Sequence, residues 1–490
     1  MSLPELERDT PVADTPVLAA PDSAPPRRFR PLILRLHFYA GILVAPFLLI
    51  ATVSGGLYAV APTIEQFVYS HSLHVDSTGP AVPVADQIRA AEQVRPDLTV
   101  AAVRPATDPG ETTRVIFTDP SLGESERRAV FVDPATAHPV GEQVVYGSSG
   151  ALPMRTWIDQ LHRNLHLGEP GRLYSELAAS WLWVIALGGV YLWAARSRTT
   201  GGARLWTLDR TARGRDRTLS WHGVAGIWIA VGLVFLSATG LTWSTYAGQH
   251  VSDVRSALSW TTPTITTTLG DISAAPAGEH AAHEGMTHAA APAADITAAN
   301  VGRIDAVLAL ARENGITGKV EAGIPSKPGT AFTVAQTRQP WVLSNNAIAI
   351  DGATGAVTDT SWFADWPLAA KLSAWGIQLH MGILFGLANQ LALLALAVAL
   401  VSVIVRGYIL WWRRRPTRGT RRVGRPPVRG AWRRIHPAAA VAVAVAVAAV
   451  GWFIPLLGLS LLGFLLIDAL LGGVNRARAG RRGRTTAETA

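Results

Sequence analysis

The chain has 490 residues, is 49% apolar and only 16% charged, and has a mean hydropathy of +0.23, which excludes an ordinary soluble protein. Its formal charge of +9 is gathered in short arginine-rich segments, a pattern that membrane topology explains without nucleic acid as a partner. Cysteine is absent, which excludes disulfides, thiolate zinc sites, iron–sulfur clusters and covalent c-type haem, so any redox cofactor must be held by histidine or not held covalently.

In chain order, residues 1–31 are Pro-rich and read as a disordered cytoplasmic tail. They do not resemble a signal peptide, because the apolar run that follows is too long and lacks a convincing cleavage site. That run, 32–60, is long enough for a transmembrane helix, for which ~20 apolar residues suffice. Residues 61–176 form a first extracytoplasmic domain: "VADQIRAAEQVRP" (84–96) has helical spacing, and "TRVIFTD" and "RAVFVD" alternate as strands. A second transmembrane helix (177–195), a basic loop (196–218) and a third transmembrane helix (219–243) follow. The second extracytoplasmic domain (244–374) contains an Ala/His-rich linker (260–294), an amphipathic helix "NVGRIDAVLALARENG" (300–315) and strands "AFTVAQ" and "NAIAID". A fourth transmembrane helix (375–412) and a basic loop (413–436) precede an apolar stretch of 38 residues (437–474) with "WFIP" at its middle, read as a hairpin of helices five and six. The chain ends in a basic tail (475–490).

Arginine sets the expected orientation. Segments 196–217 and 413–434 hold seven and ten arginines, whereas the stretches 61–175 and 246–370 are mildly acidic. The basic loops and both termini are expected in the cytoplasm, and the two domains outside the cytoplasmic membrane.

Two apolar runs open alike. "LRLHFYAG" (34–41) and "LSWHGVAG" (219–226) belong to segments that both follow H-x(3)-G-x(12)-[ST]-G, through His37, Gly41, Ser54 and Gly55 and through His222, Gly226, Thr239 and Gly240. "NLHLG" (164–168) matches "QLHMG" (378–382), and "FVDPATAHPVGE" (131–142) shares a D-x-x-T turn with "AIDGATGAVTDT" (349–360). The order helix, exported domain, helix therefore occurs twice. The expected fold is an α-helical integral membrane protein, a four-helix core bundle from a tandem repeat plus a C-terminal hairpin, carrying two small α+β extracytoplasmic domains. Those domains show no acid pair, nucleophile–base arrangement or phosphate loop.

The repeat places His37 and His222 near the cytoplasmic face, and His166 and His380 near the external one. A single histidine at a helix mouth is more often an interfacial residue than a ligand, but ionisable groups in membrane spans are costly. Two repeat-related pairs favour ligation, and facing imidazoles without cysteine suit haem iron, with two non-covalent haem b groups as the expectation. Gly41 and Gly226, one turn after their histidines, leave room for a flat macrocycle. His162 lies four residues before His166, so either could be the external ligand; the repeat partner at 380 favours His166. His71, His74 and the linker set His280, His283, Met286 and His288 are weaker metal candidates. Asp468 in the hairpin is read as snorkelling to the interface.

These motifs, "RLHFYAG", "LHRNLHLGE", "SWHGVAG" and "QLHMG" with the VDPATA and IDGATG segments, resemble the PepSY-associated transmembrane-helix family over roughly residues 30–412. Its members are often called iron-regulated or iron-uptake membrane proteins and include inner-membrane siderophore reductases with two b-type haems. The resemblance implies PepSY-like exported domains, haem-iron axial ligation by His37, His166, His222 and His380 with His162 as a further candidate, and a ferric siderophore or other ferric chelate as acceptor. No G-x-G-x-x-G follows a strand, so the expected donor is a membrane quinol or a separate cytosolic reductase. The reading is thus a probable ferric-chelate oxidoreductase of the bilayer. Its rivals are a non-enzymatic PepSY-domain sensor or regulator of peptidases, and a component of an iron transport system.

Overall fold

The computed structural model describes residues 29–200, 206–270, 293–414 and 437–488. The chain begins with α1 (Arg30–Leu43) and α2 (Ala45–Val68), which together replace the single first span expected from sequence. The cause of the break is Pro46, which has no N–H to give the carbonyl one turn back. That carbonyl, on Ile42, instead accepts the Tyr408 hydroxyl at 2.9 Å, so no backbone group is stranded in the apolar layer.

A short turn α3 (Ser70–Leu73) leads to α4 (Val84–Val94) and the strands β1 (Thr99–Arg104), β2 (Thr113–Thr118), β3 (Glu126–Val132) and β4 (Pro139–Tyr146). Helix α5 (Pro153–Asn164) returns to the apolar layer, followed by α6 (Glu169–Thr200) and α7 (Gly214–Leu241). The second half continues with α8 (Tyr246–Ala257), α9 (Ala293–Val301), α10 (Ile304–Glu313), β5 (Val320–Gly323), β6 (Phe332–Gln336), β7 (Ala347–Ile350) and β8 (Val357–Ser361). It closes with α11 (Leu368–His380), α12 (Gly386–Trp412) and the hairpin α13 (Pro437–Phe453) and α14 (Pro455–Glu488).

Five of these helices, within α2, α6, α7, α12 and α14, are long and apolar enough to cross a membrane, while α13, at 17 residues, is shorter. Leu391, Val398 and Val405 of α12 and Leu459, Leu466 and Leu470 of α14 are exposed, a surface that water would not tolerate and lipid covers. The protein is a multi-pass membrane protein. Helices α2 and α7 each pack on both α6 and α12, around a core that includes Leu48, Trp181, Leu233, Leu400 and Leu457.

The strands correct one expectation. Two separate small sheets were anticipated; instead one eight-stranded antiparallel sheet runs β4-β3-β2-β1-β5-β6-β7-β8. The halves join where Ala102 and Val103 pair with Gly323 and Ala322. Beside that junction Arg104 meets Glu321 at 2.6 Å. A further tie is the Asp305 carboxylate of α10, which accepts the N–H groups of Val84 and Ala85 at 2.7 and 3.0 Å and so caps α4 of the other half. Joining buries the two edges that separate sheets would leave unpaired. On one face, Ile88 and Ala91 of α4 and Ile304, Val307, Leu308 and Ala311 of α10 pack with Val115, Phe117, Val334 and Ile348. The opposite face, with Ala102, Ile116, Ala129 and Phe131, meets Leu73 and Leu152 at the ends of the segments that enter and leave the helical layer.

The D-x-x-T turns are alike in three dimensions. Asp133 accepts the Ala135 N–H and the Thr136 hydroxyl, both at 2.9 Å; Asp351 accepts the Ala353 N–H at 2.9 Å and the Thr354 hydroxyl at 2.7 Å.

The hairpin is bolted to the helices at both ends. Arg35, which is almost fully buried, forms an ion pair with Asp468, so that carboxylate is paired rather than snorkelling. Tyr39 lies 5.3 Å from Phe464, Trp181 donates to the Ser460 hydroxyl at 2.9 Å, and His250 lies within 2.9 Å of the Phe453 carbonyl at the hairpin bend.

Candidate functional site

Four histidines meet in two pairs. The ring centres of His37 on α1 and His222 on α7 are 6.3 Å apart, with planes at 80°. Those of His162 on α5 and His380 on α11 are 6.5 Å apart, with planes at 55°. Two imidazoles bound to one metal through bonds of ~2 Å place their ring centres roughly 6 Å apart, so both separations suit axial ligation of a single ion. Thr239, the partner of His380, lies seventeen positions after His222 along the continuous helix α7. At 1.5 Å per residue the two pairs are about 25 Å apart along that axis.

Every one of the four rings is tied at Nδ1. His37 engages the Ile185 carbonyl and His222 the Val403 carbonyl, each at 3.0 Å. At the sheet-proximal pair, His162 engages the Ser54 hydroxyl at 3.1 Å and His380 the Thr239 hydroxyl at 2.6 Å. A ring whose Nδ1 is occupied offers Nε2, the arrangement by which ligand histidines are oriented and their tautomer set.

The repeat register is exact across these contacts. His37 and Ser54 find counterparts 185 positions on, at His222 and Thr239; His162, Ile185 and Gly189 find theirs 218 positions on, at His380, Val403 and Gly407. Gly189 and Gly407 lie against the rings: a methyl group there would sit 3.3 Å from Cε1 of His37 and 3.7 Å from Cε1 of His222. By contrast, a methyl at Gly41 or Gly226 meets no atom within 4 Å, so both glycines border open space.

The structure brings His162, and not His166, beside His380. Helix α5 ends at Asn164, and Leu165 and His166 both adopt left-handed backbone with φ of 55° and 56°. The Asn164 side chain accepts the His166 N–H at 2.9 Å, and the exposed imidazole rests on Trp157 with ring centres 4.9 Å apart. Placing both histidines on one helical face presumed a helix that continues through them. The sequence did hold the better match: "WIDQLH" (157–162) and "WGIQLH" (375–380) share W-x-x-Q-L-H at the 218-residue register. In both halves this short helix ends at or just after its histidine, and a left-handed link precedes the long span, which also divides the expected fourth span into α11 and α12.

His162 and His380 line a cavity of about 520 Å³, within the size range of cofactor sites. Its walls repeat as well: Leu48 with Leu233, Gly55 with Gly240, and Tyr58 with Trp243, the last 5.5 Å from the His380 ring. Toward the sheet the wall becomes polar, with Arg163, Arg172, Arg338, Ser148 and Ser149. Asp159, one turn before His162, also faces the cavity; burial raises its carboxyl above the ordinary range, with Arg163 and Arg155 opposing. The donor set and the cavity fit a haem held by two histidines. Imidazole is the right ligand chemistry, each ring is engaged through Nδ1 so that Nε2 is the ligating atom, and the walls are mostly apolar, with Asp159, Glu176 and the sheet-end cations as the charged groups.

A family model for the PepSY-associated TM region matches residues 34–414. The chain belongs to that family. A search of curated proteins returns no match. Within this PepSY-associated protein the matched region takes in all four paired histidines and every strand, and it stops before α13 and α14. Among the described residues no group of three or more His, Asp or Glu is placed to hold a metal ion. His280, His283, Met286 and His288 lie outside the described residues.

Proposed function

We propose that this PepSY-associated membrane protein binds two haem b groups and carries electrons across the cytoplasmic membrane to a ferric siderophore or other ferric chelate. The observation behind this reading is the pair of facing imidazole couples, each ring held at Nδ1 and open at Nε2. His37 and His222 would hold one haem and His162 and His380 the other, in a four-helix bundle built from a tandem repeat. The sheet, read as two PepSY-like halves, lies outside the membrane, and the arginine-rich loops and both termini lie in the cytoplasm.

Bound haem supplies reversible one-electron chemistry. The chain's own residues set the conditions for it. Ser54 and Thr239 fix the tautomer and tilt of the outer ligands; the Ile185 and Val403 carbonyls do so for the inner ones. Leu48, Leu233 and Leu400 exclude water, while Arg163 and Arg172 at the polar end offer charge-assisted contacts to propionates. Each ferric ion of the chelate substrate takes up one electron and becomes ferrous. A membrane quinol as donor gives two electrons and releases two protons, so it serves two ferric ions; a cytosolic reductase is the other donor class.

The test is a reduced-minus-oxidised spectrum of purified full-length protein with haem quantification. The expected result is b-type bands and two haems per chain. Colourless protein from haem-replete cells overturns the proposal.

A further inference from the structure

Next to the sheet-proximal cavity is a second chamber of about 230 Å³, beneath the membrane-facing side of the sheet. Its lining includes four cations, Arg104, Arg114, Lys319 and Arg338, against one carboxylate, Glu111. Two of the cations are already committed. Arg104 pairs with Glu321, and Lys319 pairs with Glu111 and with Asp108.

The other two form no close ion pair with a carboxylate among the described residues. Arg114 lies over the Phe131 ring, 5.4 Å from its centre, and Arg338 reaches only the Met381 sulfur, at 3.9 Å. Burial pushes the Arg114 guanidinium down to about 10, with repulsion from Arg104 adding to it and attraction to Glu65 and Glu111 opposing it, and burial lowers Arg338 as well. Unpaired guanidinium groups in a partly desolvated chamber are costly to maintain, and an entering anion offsets that cost. The chamber shares Arg338, Ser148 and Ser149 with the cavity of His162 and His380, so an anion held there stands directly beside that cavity.

We propose that this chamber binds an anionic chelate, a ferric polycarboxylate whose carboxylates engage Arg114 and Arg338. The planar guanidinium fork matches a carboxylate edge, whereas a neutral or cationic chelate leaves both forks unmet. The identity of the anion as a ferric chelate rests on the function proposed above; the anion site rests on the cations themselves. Arg114 is the diagnostic residue because it lines only the second chamber.

The experiment is calorimetric titration of purified full-length protein in detergent with gallium(III) citrate, a redox-inert stand-in, and separately with citrate alone. Wild type is expected to bind gallium citrate more tightly than citrate. Arg114→Gln and Arg338→Gln are each expected to weaken that binding about tenfold or more, the loss of a charge-assisted contact. Arg114→Lys, which keeps the charge but not the fork, is expected to fall between. Equal binding by wild type and both Gln variants, or none by wild type, overturns the site; citrate binding as tightly as gallium citrate overturns the chelate. Red protein that ignores gallium citrate refutes the chamber and not the electron carrier. Haem-free protein that binds it through Arg114 does the reverse.

Discussion

The Thr239 hydroxyl lies 2.6 Å from Nδ1 of His380, on a different helix. Its repeat counterpart, Ser54, stands in the same relation to His162. A small hydroxyl on each long span thus aims an imidazole from the short helix beside it, and the two rings converge on one cavity.

That convergence separates His162 from His166 experimentally. On the proposed function, His162→Ala and His380→Ala are expected to lose the same haem, leaving roughly one of two bound, because either change removes one member of the proposed ligand pair. His166→Ala is expected to retain both, and His222→Ala to lose the other haem. Pyridine haemochrome quantification of the four variants decides it, and loss of haem in His166→Ala would sink the assignment.

Thr239→Val keeps the shape and removes the hydrogen bond. Loss of such an orienting partner typically weakens metal sites by ~10–100-fold. Faster haem transfer to apomyoglobin is expected from the sheet-proximal site only, with the His37–His222 site unchanged.

Crowding at Gly55 offers an independent probe. A methyl group there would sit 2.9 Å from Cε1 of His162, so the ring must swing away from Ser54. Gly55→Ala should therefore shift the midpoint potential or occupancy of the sheet-proximal haem in redox titration. Gly41→Ala, whose new methyl meets nothing within 4 Å, should be silent in protein without haem and is informative in its presence.

The hairpin depends on an ion pair. Arg35 and Asp468 have side chains 8% and 28% exposed. Removing one member of such a pair typically costs about 3–5 kcal/mol, while replacing both by apolar groups is often neutral. Asp468→Leu alone should lower the thermal midpoint of the purified protein, and Arg35→Met with Asp468→Leu should recover most of it.

Asp119 predicts a pH dependence in the sheet. The Ser121 hydroxyl and the Arg128 guanidinium hold its carboxyl down at about 2. A carboxyl lowered in the folded state stabilises fully above its unfolded value, near 3.8, and loses that contribution as pH falls toward 2. Wild type should exceed Asp119→Asn in stability at neutral pH, with the gap closing across that acidic window, as read by hydrogen exchange of β2 and β3.

Sequence alone determined the membrane class, the D-x-x-T turns and the matching histidine, serine or threonine and glycine positions of the two segments that begin near His37 and His222. Those are periodic or local patterns, and length, apolar content and fixed spacing suffice to express them. The match at "NLHLG" misled because it assumed one unbroken helix through His162 and His166; only the left-handed turn at Leu165 and His166 decides which imidazole enters the cavity. The Arg35–Asp468 pair joins residues 433 apart, and Arg104–Glu321 joins two domains read as separate. No spacing rule reaches across such distances. The unpaired Arg114 and Arg338 come together for the same reason: the chamber exists only once β1 has paired with β5 and closed one sheet over the helices.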